Sequence, residues 1–162
     1  MLEYVFILPL LSFAVAGIIL AFGKWLPGKG ASAGIAVAAW GFAQAAILFV
    51  KAIQGGIALP YEVSIPWFSF GSQQATLGVY VDGLTIAMLV VVTAVSLLVQ
   101  IYSLGYMRGD PRFKRYYAYL SLFTASMLGL TLSDNMLVFF MCWELVGVCS
   151  YLLIGFWFEK QS

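Results

Sequence analysis

The sequence predicts an all-α polytopic membrane protein: five transmembrane helices with a short outward-facing β-hairpin between helices 2 and 3. Three observations carry that expectation. Of the 162 residues, 63% are hydrophobic and only 9% are charged, against roughly half apolar and about a quarter charged in soluble domains. The few charges cluster, and they leave uncharged runs close to the ~20 residues that a helix needs to cross a hydrocarbon core about 30 Å thick. One stretch, 51–82, breaks the pattern with prolines, glycines and β-branched residues.

The first run is Tyr4 to Gly23 and the second Gly30 to Val50. Between them Lys24-Trp-Leu-Pro-Gly-Lys29 supplies Pro27 and Gly28, which stop one helix before the next begins. The first run opens on Glu3 rather than a basic segment, and no small-residue cleavage site follows, so helix 1 is expected to stay in the mature chain. The hairpin, about 57–81, is read from Tyr61-Glu-Val-Ser-Ile-Pro-Trp-Phe-Ser-Phe70 and Ala75-Thr-Leu-Gly-Val-Tyr-Val81 around a Gly71-Ser72 turn. Pro60 and Pro66 suit edge positions, because neither can donate to a ladder. Gly83 to Met107 is the third span and Tyr116 to Ser133 the fourth, with the turn Arg108-Gly-Asp-Pro-Arg-Phe-Lys-Arg115 between them. Asn135 to Phe158 is the fifth, broken by one charge, Glu144. The whole chain, 1–162, is expected to form one membrane domain.

This threading puts Lys24, Lys29, Arg108, Arg112, Lys114, Arg115 and Lys160 on one side and only Lys51 on the other. By the positive-inside rule the first side is cytoplasmic, so the N-terminus and the hairpin face outward and the C-terminus lies inside. Tyr4, Trp25, Tyr106 and Trp157 fall near span ends, where aromatic side chains anchor in the headgroup region.

Composition also excludes function classes. A net charge of +1 gives no basic surface for a phosphate backbone, so nucleic acid is not an expected partner. The chain has no histidine, which removes His-ligated haem and most zinc or copper sites. Cys142 and Cys149 share a helical face and are too few for a cluster. Phosphate loops, nucleophile triads and metal-ligand spacings are absent, so neither a cofactor nor a metal is expected.

Glu144 is the candidate site residue. It lies ten residues beyond Asp134, about 15 Å into the core and close to the midplane. An acidic residue there costs roughly 2.5–3.5 kcal/mol on insertion scales, so it is expected to face protein or a wet cavity and to pair. A carboxylate at that depth is a candidate proton relay; the alternative is a structural acid that fixes helix register. Gly147 and Tyr151 share its face. No Lys or Arg lies inside any of the five runs, so a cationic partner is expected from elsewhere. Asp134 reads as the N-cap of helix 5, and Asp82-Gly83 as the turn that starts helix 3. Gln44, Gln100, Thr93, Ser96, Ser121, Thr124, Ser126 and Thr131 read as helix-packing contacts.

Several motifs, in this order and spacing, resemble the N-terminal part of the antiporter-like proton-pumping membrane subunits of respiratory complex I. They are Tyr80-Val-Asp-Gly-Leu84, Tyr106-Met-Arg-Gly-Asp110, Arg115-Tyr-Tyr-Ala-Tyr-Leu-Ser-Leu-Phe123, Ser133-Asp-Asn135 and Trp143-Glu-Leu-Val-Gly-Val-Cys-Ser-Tyr-Leu-Leu-Ile-Gly155. The likeness is to the chain 5 or chain L type, with Mrp-type cation/proton antiporter subunits as cousins. The resemblance implies a membrane-arm subunit without redox centres, coupled to quinone reduction in partner subunits. It also implies that Glu144 matches the acid that pairs with a lysine on a later helix, and that the family fold continues through further helices. The implied location is a bacterial inner membrane or an equivalent energy-coupling membrane, with the lipid bilayer and other membrane-arm subunits as partners. A Mrp-like antiporter subunit and a structural membrane module without its own channel are the alternatives.

Overall fold

A computed structural model describes residues 2–23, 25–71 and 73–157. The expectations that fall on Lys24, Ser72, Phe158, Glu159 and Lys160 lie outside the described residues, as do the side chains of Glu3 and Lys29. The helices are α1 (Ile7–Phe22), α2 (Ala31–Ile53), α3 (Gly83–Tyr106), α4 (Phe113–Leu132) and α5 (Met136–Ile154). An antiparallel hairpin, β1 (Tyr61–Phe70) and β2 (Gln73–Val81), joins α2 to α3.

Several boundaries differ from the sequence reading for identifiable reasons. Helix α1 begins at Ile7 instead of Tyr4, after a 3-10 turn over Leu2–Tyr4. Pro9 sits in its first turn, where a missing N–H costs no helical hydrogen bond. Helix α2 runs on through Lys51, a charge that favours a helix C-terminus, and stops before Gly55, whose φ of 69° is left-handed. Helix α4 starts three residues early, because Asp110 Oδ1 accepts from the Arg112 amide at 2.7 Å and Pro111 precedes the first turn. The hairpin proper starts at Tyr61, and β2 begins at Gln73 rather than Ala75. A bulge between Pro66 and Phe68 gives the imide a place in the ladder.

Among the described residues three helices are long and apolar enough to cross a membrane: Ala31–Ile53, Gly83–Tyr106 and, with its terminal 3-10 turn, Met136–Trp157. Helix α1 is apolar but its 16 residues span only about 24 Å. Helix α4 has 20 residues, yet opens on Lys114 and Arg115 and carries Ser121, Thr124, Ser126 and Thr131.

Packing accounts for the polarity of α4. It is the central helix, with α1, α3 and α5 laid against it. Three of its hydroxyls are satisfied inside the protein: Thr124, Ser126 and Thr131 each donate to the carbonyl four residues earlier, at 2.7–2.9 Å. Lipid does not drive helices together by the hydrophobic effect, so close approach of small residues has to. Helix α2 buries Ala31, Gly34, Ala38, Gly41, Ala45 and Leu48, a small-residue stripe at alternating spacings of three and four. The apolar core lies toward the hairpin end, where Leu8, Leu48, Val81, Ile86, Leu89 and Leu128 meet. A second, smaller cluster of Val15, Ile19 and Ala118 lies toward the other end. Helix α5 is the exception: only 11% of its most apolar window is buried.

Candidate functional site

Two residues set where α5 begins. Asn135 Oδ1 accepts from the Val138 amide at 3.0 Å, so Asn135 is the N-cap. This corrects the expectation for Asp134, whose carboxylate turns the other way. It accepts from Asn135 Nδ2 at 2.6 Å and from Thr76 Oγ1 on β2 at 3.4 Å. Asn135 Nδ2 also donates to the Thr76 carbonyl at 2.8 Å, and Val79 forms a β-bridge with Ser133. A Cβ at Gly78 would collide with the Asp134 carboxylate and the Val63 carbonyl, so glycine is what lets the loop dock on the hairpin. The start of α5 is thus bolted to β2.

From that anchor, Glu144 lies eight residues into the helix, about 12 Å along its axis and close to its middle. Cys142 and Cys149 are buried against α4, and Gly129 permits the approach, since a Cβ there would lie 2.9 Å from Cys142 Sγ. Glu144 is two residues past Cys142, hence about 200° around the helix. It is exposed, as are Gly147 and Tyr151, the latter at 76%. Among the described residues Glu144 has no hydrogen-bond or ion-pair partner. The protein interior that the sequence demanded for this acid is not provided by these helices. Trp143, exposed beside it, stacks on Phe139 with ring centroids 6.2 Å apart.

Asp82 caps α3, its Oδ1 accepting from the Thr85 amide at 2.7 Å. That backbone N–H holds the Asp82 carboxyl below the usual carboxylate range. At the opposite end of the bundle Trp157 Nε1 donates to Asp110 Oδ2 at 2.9 Å, and its ring lies 5.5 Å from that of Tyr106. Trp157 therefore ties the end of α5 to the α3–α4 turn, whereas Trp25 and Tyr4 are exposed. Tyr151, Asp82 and Asp134 are not brought together with Glu144: Asp82 and Asp134 stand at the hairpin end, and Tyr151 is two turns further along α5. Among the described residues no group of three or more His, Cys, Asp or Glu is placed to hold a metal.

The sequence reading missed the weight of Asn135, although an Asn directly before an apolar run is itself a cap signal. It named Gln100, Ser96 and Thr124 as helix-packing contacts, and Ser96 and Thr124 do share a short hydrogen bond between α3 and α4, but it gave no part to Tyr117, whose hydroxyl donates to the Gln100 carbonyl at 2.6 Å.

Comparison with known proteins gives consistent matches. Residues 67–117 match the family model described as NADH-ubiquinone oxidoreductase (complex I), chain 5 N-terminus. Residues 133–162 match the one described as NADH:quinone oxidoreductase/Mrp antiporter, TM. NAD(P)H-quinone oxidoreductase chain 5 of Synechocystis sp. is 53% identical over 102 residues, which is 63% of this chain and 15% of that one. F420H2 dehydrogenase subunit L of Methanosarcina mazei is 44% identical across 99% of this chain and 23% of its own length. A solved Mrp complex from Dietzia sp. contains a chain that superposes with a TM-score of 0.71 at 27% identity, covering 93% of this chain and 16% of that chain. The chain thus spans less than a quarter of the length of these relatives. In sequence and in fold the chain is similar to the N-terminal part of the antiporter-like membrane subunits described as complex I chain 5 and Mrp antiporter.

Proposed function

We propose that the chain forms part of a proton-translocating membrane-arm subunit of an NADH-type quinone oxidoreductase, with Glu144 as a relay acid. In this reading the complex is the enzyme: quinone is reduced in other subunits, and this chain moves protons in response. The observation that carries the proposal is the position of Glu144, mid-helix on the uncovered face of α5, the least buried of the three long apolar helices. A carboxylate left against lipid there is unfavourable by roughly 2.5–3.5 kcal/mol, which favours a covering helix that brings a cation. All five helices span the membrane in this reading, α1 with help from its flanking turns and α4 because its neighbours shield it. The N-terminus and hairpin face outward and the C-terminus inward, as the distribution of Lys and Arg favours.

A Mrp-like cation/proton antiporter subunit is the second reading, favoured by the superposition of nearly the whole chain on a chain of the Mrp complex. Co-purification separates the two: redox subunits with flavin and iron–sulfur clusters support the first, further small antiporter proteins the second.

The test of the relay is Glu144→Gln in the assembled complex, read as proton uptake into vesicles beside the amount of complex assembled. Gln keeps the volume and removes the titrating proton, so pumping should fall far more than assembly. Glu144→Asp should retain part of the activity. Normal pumping by Glu144→Gln overturns the relay, and parallel loss of pumping and assembly assigns Glu144 to structure.

A further inference from the structure

Among the described residues two buried side-chain polar atoms have no hydrogen-bond partner, Gln100 Oε1 and Ser121 Oγ, and both face the same small cavity. Gln100 is 1% exposed and Ser121 3%. The cavity lies where α1, α2, α3 and α4 meet, and Ser12, Gly34, Gln100, Ser121 and Thr124 line it with three apolar neighbours. Its volume is about 10 Å³, in the measure in which about 10–15 Å³ accommodates a single water.

The behaviour of Ser121 is anomalous for this bundle. Ser12, Thr93, Ser103, Thr124, Ser126 and Thr131 each donate to the carbonyl four residues earlier. Ser121 makes no such bond and turns its hydroxyl to the cavity instead. Gln100 is anchored by its backbone carbonyl, which accepts from Tyr117, while its amide side chain projects into the same space. Gly34 keeps that space open: a Cβ there would lie 3.0 Å from Gln100 Oε1 and 3.2 Å from Ser121 Oγ. An unpaired polar group at such burial costs about 1–3 kcal/mol, and two together in so small a bundle call for a shared partner.

We propose that this cavity is a binding site for one water molecule, which joins α3 to α4 through Gln100 and Ser121. The water donates one hydrogen to Gln100 Oε1 and accepts from the Ser121 hydroxyl. Its second hydrogen has an acceptor in Ser12 Oγ, whose own proton goes to the Leu8 carbonyl at 3.0 Å. A metal cation is disfavoured, because every lining donor is neutral and no carboxylate reaches the cavity. The glycine of the α2 stripe at position 34 then has two jobs, close helix approach and room for the water.

The test uses the full-length subunit in its assembled complex. A density map at a resolution that shows ordered water should contain one isolated peak within hydrogen-bond distance of both side-chain oxygens; an empty cavity, or a direct Gln100–Ser121 bond that closes it, overturns the proposal. A mutant cycle supplies an independent reading. Gly34→Ala displaces the water and should lower the temperature at which the complex dissociates. In a Gln100→Leu, Ser121→Ala background, where no polar group needs the water, the same Gly34→Ala change should cost much less. An equal loss in both backgrounds means the glycine matters only sterically, and the water site falls.

Discussion

Asn135 joins the hairpin to α5, and its removal tests that joint. The side chain does two jobs with separate atoms: Oδ1 caps α5 through the Val138 amide, and Nδ2 donates to the Thr76 carbonyl and to Asp134. Losing an N-cap costs about 1 kcal/mol, and losing a part-buried hydrogen bond to a backbone carbonyl about 1 kcal/mol more. Asn135→Ala should therefore destabilise the subunit by about 2 kcal/mol. Asn135→Ser keeps a capping oxygen without the amide donors, so it should cost about half as much. Asn135→Asp also keeps the cap, but it sets a second carboxylate against Asp134 and should fall between the two or below both. The assay is an SDS unfolding titration of the full-length subunit in mixed micelles, with hydrogen exchange followed at Gly78, Val79 and Val138. Faster exchange at Val138 in the Ala variant alone, and at the hairpin amides in all three, is the expected pattern. A loss under about 0.5 kcal/mol for Asn135→Ala, the range of an uninvolved surface change, would refute the joint.

Three further outcomes follow from the geometry. Gly129→Ala puts a methyl 2.9 Å from Cys142 Sγ and should cost about 1 kcal/mol or more through overpacking; adding Cys142→Ala should restore most of the SDS resistance. Because the folded Asp82 carboxyl titrates below its unfolded value, its contribution to α3 is complete above about pH 4 and lost as pH falls through the lower folded value. Asp82→Asn should accordingly flatten the acid-induced rise in hydrogen exchange at Thr85, and an unchanged profile would exclude the cap as its origin. Single cysteines replacing Ser69 on β1 and Arg108 after α3, in a background without Cys142 and Cys149, should react with an impermeant thiol reagent from opposite sides of the membrane; reaction of both from one side would sink the threading.

What the sequence made legible was whatever a local pattern could carry. The uncharged runs marked all five helices, because each run is about as long as a membrane-crossing helix and carries almost no charge, and the prolines and β-branched residues of 57–81 marked the hairpin. Ends were less legible where a charge was taken for a stop: Lys51 continues α2, and Lys114 and Arg115 begin α4. Asp134 was a reasonable cap by residue type, but a carboxylate that also has Thr76 to bind is drawn away, and the neighbouring amide takes the cap. Two residue types able to cap stand side by side before the run, and only the tertiary contact with Thr76 decides between them. The depth of Glu144 could be counted; the side of α5 it occupies relative to α4 could not, since Cys142 and Cys149 become the packed face only because Gly129 stands opposite.

The distribution of polarity across the bundle runs against a simple membrane rule, and that inversion bears on Glu144. Lipid-facing helices should be the most apolar, whereas enclosed ones tolerate polar side chains, because enclosed hydroxyls find protein acceptors. Helix α4 obeys: it carries the most hydroxyls and is the most enclosed. Helix α5 is apolar enough to face lipid and is largely uncovered, yet it bears the single acid found inside any of the five helices. If α5 faced only lipid, Glu144 would be a net cost with no return, and a neutral residue would insert better by roughly 2.5–3.5 kcal/mol. The combination is consistent only if part of that face meets protein. Gly147, three residues on, lets a neighbouring backbone come close, and Tyr151 adds a hydroxyl on the same stripe. The apolar residues between them suit the lipid or the covering helix equally. In the function proposed above, the uncovered face of α5 is an internal surface of a larger bundle, and Glu144 is the point on it that calls for a partner of opposite charge.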